Sequence, residues 1–139
     1  MVMTGCNPVP PSTLEGHTAM PDGQHVLVQG ETNLPDQAQI LVSLQAEANH
    51  RIVVQGLPLV KGGRFQTLLS LPKDVDGGTF QVRLSFSPKA FDWSRGAVLK
   101  VTGRKGEYLS GNWAVRDGDV TILQRDLPLE IPQDKRGKT

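Results

Sequence analysis

The sequence is poor in the residue types that most directly signal chemistry. Its 139 residues include one cysteine and three histidines, so no disulfide can form within the chain and no cysteine–histidine set has zinc-site spacing. Aromatic residues make up 5% of the chain, which leaves little material for stacking sugars or bases. The formal net charge of +1 lacks the basic bias of nucleic-acid-binding proteins. No apolar run approaches the roughly 18 residues of a membrane-spanning helix, so the sequence predicts neither a nucleic-acid partner nor a transmembrane helix.

The side chains capable of catalysis or metal binding are scattered along the chain. His17, His25 and His50 have no partner at metal-ligand spacing, so exposed or strand-end positions are expected for them. Asp74 and Asp76 precede two glycines, a pattern similar to the start of a calcium loop, but the later oxygen ligands of such a loop are missing. No serine lies in a G-x-S-x-G elbow. The sequence therefore predicts no catalytic residue, no metal site and no cofactor.

Alternation of apolar and polar residues is what the chain has in abundance. It is clearest where Phe80, Val82, Leu84 and Phe86 are separated by single polar residues, a period of two that is typical of a half-buried strand. These four side chains are predicted to point into the core. Shorter runs of the same kind recur every 8–14 residues or so, with turn-type residues between them.

Glycine-containing turns divide these runs. Lys61-Gly62-Gly63 and Asp117-Gly118 are typical of β-hairpins, because such turns need positive φ angles. Pro128 and Pro132 remove backbone donors from the last run, which is therefore predicted to lie at a sheet edge. The fold class predicted is all-β: a sandwich of seven or eight short antiparallel strands.

One segment departs from the alternation. Trp93, Ala97, Val98 and Val101 recur at helical spacing, which predicts a short helical crossover across residues 92–102. An irregular crossover is the alternative.

The composition divides the chain into three parts. Residues 1–22 are predicted to be a flexible Pro-rich tether, residues 23–132 the β-sandwich domain, and residues 133–139 a disordered C-terminal tail. Deleting residues 1–20 is accordingly expected to leave the unfolding curve nearly unchanged.

Several turn and strand motifs resemble a group of bacterial exported Ig-like domains. The stretch Val28–Asp36 followed by Ile40–Leu44 is similar to their G-x-T-N-L-P-D-G turn and the strand after it, with Gln37 standing where that turn usually has Gly. Gly63-Arg-Phe65 resembles their G-x-F strand start, and Gly106–Gly111 their G-x-x-L-x-G segment. The resemblance spans roughly residues 24–131. It implies an Ig-like fold and a cell-envelope location, and it carries no activity.

The single cysteine suggests how the protein is located. Met3-Thr4-Gly5-Cys6 resembles a bacterial lipobox, in which the cysteine takes the lipid, and the Pro-rich residues 7–13 suit a tether. Only five residues precede Cys6, fewer than an export signal needs. The alternative is therefore a free thiol in the N-terminal segment. Lipidation would place the protein in the bacterial cell envelope, anchored to the membrane outside the cytoplasm.

The sequence also offers one candidate binding surface. It combines a tryptophan with a modest basic patch: Trp93, Arg95, Lys100, Arg104 and Lys105. The alternative is that Trp93 packs the crossover onto the sandwich, that Trp113 lies in the core and that the cations are simply solvated.

The function predicted is that of a non-enzymatic envelope lipoprotein module for protein–protein or surface interaction. Its partner would be an unknown protein or an envelope polymer, with the membrane reached through the lipid alone. One alternative is a small-ligand or metal-ion carrier with a pocket between the sheets. Another is a cytoplasmic inhibitor or chaperone-like binder of the same fold.

Overall fold

Two antiparallel sheets form the protein. The structure, a computed structural model, describes residues 11–73, 75, 77–88, 102–103 and 105–131. Those residues contain eight strands: β1 (Leu14–Ala19), β2 (His25–Thr32), β3 (Leu41–Ala46), β4 (Ile52–Gly56), β5 (Arg64–Ser70), β6 (Gly78–Phe86), β7 (Ala114–Asp117) and β8 (Val120–Ile131). The predicted all-β sandwich is confirmed.

The strand order follows the immunoglobulin-like pattern. One sheet has the order β1-β2-β5, and the other has the order β4-β3-β6-β8-β7. The first two strands and the fifth thus share a sheet, as strands A, B and E of an Ig domain do. Strands β4, β3, β6 and β8 take the positions of C′, C, F and G. Strand β7 is a hairpin partner added outside β8.

Strand β6 supplies the centre of the core. Phe80, Val82, Leu84 and Phe86 are 7%, 0%, 0% and 2% exposed, as their alternation predicts. Because β6 is paired with β3 on one side and with β8 on the other, this apolar row packs against the smaller sheet in the middle of the domain.

Two facing glycines make room for large side chains in the core, Gly16 for Leu84 of the opposite sheet and Gly30 for Phe65 of its own sheet. Gly16 of β1 lies opposite Gly30 of β2. A Cβ atom on Gly16 would come within 2.9 Å of Cδ1 of Leu84, and one on Gly30 would collide with the Phe65 ring. Since the glycines have no side chain, Leu84 and Phe65 occupy that space instead.

The expected tether boundary at residue 22 is wrong, because β1 lies within residues 1–22. Leu14 is fully buried, and β1 pairs with β2 along its whole length, from Leu14 opposite Thr32 to Ala19 opposite Leu27. The strand has only one large apolar residue, so its alternation gives little hydrophobic signal. Residues 1–10 and 132–139 lie outside the described residues.

The predicted helical crossover lies almost entirely outside the described residues. Of residues 92–102, the structure describes Thr102 alone. The crossover therefore stays a prediction.

The hairpin predictions are confirmed, one of them with a shift. Lys61 pairs with Arg64 around Gly62 and Gly63, which have φ angles of 61° and 77°. At the other hairpin, Asp117 pairs with Val120. The loop is therefore Gly118–Asp119, one residue later than predicted.

Pro128 lies where the last strand, β8, is paired on one side only. Strand β8 pairs with β6 from Leu123 to Ile131, whereas β7 pairs only with residues 120–123. Pro128 thus lies in the half of β8 that has no second neighbouring strand among the described residues, where its missing N–H costs no ladder bond. Pro132 lies outside the described residues.

Truncating the Phe86 ring tests the core. Phe86→Ala should lower the free energy of unfolding by about 3–5 kcal/mol, because it leaves a cavity beneath β6. Val115 on β7 is 43% exposed, so Val115→Ala is a matched control and should change stability by less than about 0.5 kcal/mol. Urea unfolding measures both, and equal effects would contradict the assignment of the inward face.

Removing β1 should reverse the expectation drawn from the sequence. Deleting residues 1–20 exposes Leu84 and Leu127, which lie against Gly16. It also loses the burial of Leu14, which alone is worth about 1.5–3 kcal/mol. The melting temperature should fall sharply. A chain beginning at Pro11 keeps β1 and should melt as the full chain does. An unchanged melting curve for the longer deletion would show that β1 contributes nothing to the fold.

Candidate functional site

The sequence-predicted binding surface is described only at Lys105. Its side chain is exposed, its carbonyl accepts a 2.8 Å hydrogen bond from the Thr121 N–H, and its N–H donates to Oε1 of Glu107 at 2.9 Å. Hydrogen bonds from the Glu107 and Lys105 main chain lower the pKa of the Glu107 carboxyl. Lys105 is thus held in a loop beside β8. Cys6, Trp93, Arg95, Lys100 and Arg104 lie outside the described residues.

The three histidines lie in separate places. His17 is exposed on β1 and lies opposite Gln29 of β2. His25 starts β2, with Nδ1 2.8 Å from Oδ2 of Asp22. His50 is exposed in the turn between β3 and β4, with a φ angle of 58°. Among the described residues, no three His, Cys, Asp or Glu side chains are grouped as a metal site. Asp74 and Asp76 lie outside the described residues.

Trp113 packs on the core and contacts Arg125, which in turn binds strand β1. Its half-buried ring packs against the core cluster, and the guanidinium carbon of Arg125 lies 4.2 Å from the ring centroid. Arg125 Nη1 donates to the Leu14 carbonyl at 3.0 Å and to Oε1 of Glu15 at 2.7 Å. The stacking and the hydrogen bonds together fix β1 against β8.

The segment before β1 is fixed by a second set of bonds, which we call the N-terminal clasp and define as Pro11, Ser12, Thr13, Asn33 and Ser110. The Asn33 side chain accepts from the Thr13 N–H and donates to the Pro11 carbonyl, both at 2.9 Å. The Ser12 N–H donates to the Ser110 carbonyl at 3.0 Å, and the Ser110 N–H donates to Ser12 Oγ at 3.2 Å. These bonds fix the residues before β1 at one end of the sandwich.

The clasp explains part of the T-N-L-P-D motif. Thr32 Oγ1 donates to the Thr13 carbonyl at 2.7 Å and accepts from the Leu34 N–H at 3.2 Å. Leu34 is itself buried in the core, and Asp36 Oδ1 accepts from the Gly62 N–H at 2.9 Å. Thr32, Leu34 and Asp36 therefore stabilise the turn and its contacts with neighbouring segments.

Gln37 occupies a backbone conformation that favours glycine. Its φ angle is 79°, in the left-handed region that costs a residue with a side chain about 1–2 kcal/mol. The Gln37 N–H donates to the Val60 carbonyl at 3.0 Å, which holds the turn in place. A glycine at position 37 would adopt this conformation without strain.

The G-x-x-L-x-G segment is also structural. A Cβ on Gly106, whose φ angle is 72°, would collide with the Thr121 carbonyl. Leu109 is 8% exposed and belongs to the core cluster. Gly111 lies against Pro11 and Ser12. This segment packs against both β8 and the N-terminal clasp.

The outer face of the smaller sheet carries a shallow, open groove of about 470 Å³. His17, Gln29 and Gln66 lie in one row across its three strands, and Gln29 Nε2 donates to Gln66 Oε1 at 3.2 Å. Leu59 lines its side, and Arg64 lies 4.0 Å from Glu31 at its end. The lining combines hydrogen-bonding side chains with the apolar residues Leu59 and Phe65.

Among the described residues, the inward side chains of the two sheets form one hydrophobic core. Val28, Ile40, Val42, Leu44 and Val82 are all fully buried there. The groove opens instead on the outside of the smaller sheet.

Sequence reasoning missed the N-terminal clasp and β1. The polar residues Glu15 and His17 alternate with Leu14 and Gly16, which is a weak period-two signal. Thr13 and Asn33 are common turn residues, and their pairing depends on a contact across the fold that local pattern does not contain.

Replacing Gln37 tests the turn. Gln37→Gly should raise the free energy of unfolding by up to about 1 kcal/mol, since the relief of left-handed strain exceeds the extra chain entropy of glycine. Gln66→Gly on β5 is the control and should lower stability by about 0.5–1 kcal/mol. Chemical denaturation measures both. A loss of stability in Gln37→Gly would show that the Gln37 side chain contributes more than its backbone strain costs.

In the described residues, the motif positions have structural roles, and the outer groove is an open, largely polar surface. Among them, no helix has the length and apolar character needed to cross a membrane. Comparison of the chain with protein-family models, curated proteins and solved structures finds no match.

Proposed function

We propose that this protein is a non-enzymatic interaction module of the bacterial cell envelope, held at the membrane by a lipid on Cys6. Its partner is another protein or an envelope polymer, and the membrane is reached through the lipid alone. The Ig-like domain presents the surface, and the N-terminal residues anchor it.

The lipobox-like sequence is the first support. Gly5 is the small residue that precedes the acylated cysteine of such boxes, and Asn7-Pro-Val-Pro-Pro11 cannot form a helix because its prolines lack backbone donors. The segment between Cys6 and the domain is accordingly suited to a spacer.

The N-terminal clasp is the observation that carries the proposal furthest. The chain from Cys6 to Pro11 advances five residues, which span at most about 18 Å when extended. Because Ser12 and Thr13 are hydrogen-bonded to Ser110 and Asn33, no further chain is free to lengthen the spacer. A lipid on Cys6 would keep this end of the sandwich next to the headgroups.

The chemistry of the surface supports interaction over catalysis. Leu57, Leu59 and Leu68 are 50%, 50% and 54% exposed, so they add apolar area to the surface that a partner would contact. The outer groove beside them supplies the amides of Gln29 and Gln66. For the alternative of a ligand carrier, the hydrophobic core that the described residues form between the sheets offers no supporting observation.

The mass of the native N-terminal peptide tests the anchor. In source cells we expect a diacylglyceryl-modified peptide beginning at Cys6, and we expect Cys6→Ser to move the protein from the membrane fraction to the soluble fraction. Ser12→Ala is the control for the neighbouring sequence and should leave the protein at the membrane.

An unmodified peptide that begins at or before Met1 would overturn the anchor. Since Cys6 precedes β1, which begins at Leu14, we expect Cys6→Ser to leave the melting temperature unchanged. A change in localisation without a change in stability separates loss of the lipid from loss of the fold.

A further inference from the structure

The smaller sheet has one edge that is prepared for pairing. Strand β5 hydrogen-bonds to β2 on one side. The Leu71 N–H donates to the Gln24 carbonyl at 2.8 Å, and the Thr32 N–H donates to the Gly63 carbonyl at 2.9 Å, so the odd-numbered residues of β5 face β2. The even-numbered residues direct their main-chain groups to the other side.

Only the first of these even-numbered residues has a main-chain partner. Arg64 exchanges bonds of 2.8 and 3.1 Å with Lys61 across the hairpin. Beyond Arg64, the main-chain groups of Gln66, Leu68 and Ser70 have no partner strand among the described residues. We call these three residues the β5 edge.

The chain beside the β5 edge does not close it. The segment after β4 passes along this flank. It starts from Gly56, the last residue of β4, where a Cβ would lie 2.7 Å from Thr67 Oγ1, and its Leu59 lines the outer groove together with Gln66. Its backbone bonds run to the other sheet, where the Pro58 carbonyl accepts from Ile40 at 3.0 Å and the Val60 N–H donates to Ala38 at 2.8 Å. It contributes the exposed Leu57 and Leu59 to the flank.

The other described edges carry the features that block strand addition, and the β5 edge does not. Free edges are normally protected by charges, prolines, bulges or short length. The edge strand β1 carries the charge of Glu15, which pairs with Arg125, and the free half of β8 has Pro128. Strand β7 is four residues long, and the pairing of β3 with the edge strand β4 is irregular between Leu44 and Gln45. From Gln66 to Ser70 there is no charge and no proline, and the central Leu68 is 54% exposed.

We infer that the β5 edge pairs with the β5 edge of a second copy of this chain. An antiparallel pair centred on Leu68 sets Leu68 against Leu68 and Gln66 against Ser70 in both directions. Each of those three pairs exchanges two main-chain bonds, and the result is one continuous six-stranded sheet formed from the three strands of each copy.

A second copy is the occupant that fits, because the arrangement is self-complementary. The symmetry is two-fold, so the same patch serves both partners and the assembly closes. Arg64 would face Pro72 of the second copy, so no like charges oppose each other, and the net charge of +1 per chain gives little repulsion between copies. The pairing does not depend on a lipid at Cys6.

Sedimentation of the full chain tests the pairing. We expect the weight-average mass to rise with concentration from 15.1 kDa towards twice that value. Leu68→Lys, which opposes two charges at the two-fold axis, should hold the mass at 15.1 kDa. Val115→Lys is the matched control, an equally exposed apolar residue on β7, and should associate as the unaltered chain does.

Disulfide capture tests the register and does not depend on the Lys variant folding. In a Cys6→Ser chain, Leu68→Cys should form a crosslinked dimer, because opposed residues of a hydrogen-bonded pair lie about 5.5 Å apart at Cα, within disulfide range. Gln66→Cys should not crosslink alone, because it faces Ser70. The double variant Gln66→Cys, Ser70→Cys should crosslink again.

Three results would overturn the inference. One is an unaltered chain that stays monomeric up to about 1 mM. Another is association that Leu68→Lys and Val115→Lys affect equally. The third is crosslinking of Gln66→Cys alone as fast as Leu68→Cys, which would indicate random collision.

Discussion

The packing of the β6 apolar row against the smaller sheet is the constraint on which the rest of this structure depends. Strand β6 has a paired neighbour on each side, so its inner face can be covered only by the opposite sheet. That cover includes β1, whose Gly16 makes room for Leu84 of β6. Burial of a large side chain is worth about 1.5–3 kcal/mol, so this row and its cover provide much of what holds the two sheets together.

The parts of the fold that could be predicted from sequence are those with a strong local signal. Strand β6 has four large apolar residues at a period of two, and the Lys61–Arg64 hairpin has two glycines where positive φ is needed. Strand β1 had no such signal, since its inner positions after Leu14 are held by small residues that suit a crowded place beneath Leu84. Strand β1 forms because it pairs with β2 and packs against residues distant in the sequence, such as Leu84. Local alternation does not reveal these contacts.

The candidate surfaces also differ in whether the sequence alone could indicate them. Cys6 and the basic residues near Trp93 were found because their residue types are distinctive, and their arrangement in space belongs to no local pattern. The β5 edge had no sequence signature at all. Whether Leu68 lies in a central or an edge strand is decided by strand order, and the run Leu68-Leu69 looks like a strand buried on both faces. Only the order of the described strands shows that one side of β5 has no partner strand among them.

The placement of the two ends of the domain has a mechanical consequence. Strand β1 begins near Arg125, and Gly16 lies near Leu127, so β1 and β8 run in the same direction through the sandwich. The chain therefore enters at one end, and β8 finishes at the other, at Ile131. Tension between the two ends acts along the strands and loads the β1–β2 hydrogen bonds in shear, where they share the force, instead of peeling them apart one by one. The pairing of β1 with β2 therefore resists a load applied between the two ends of the domain.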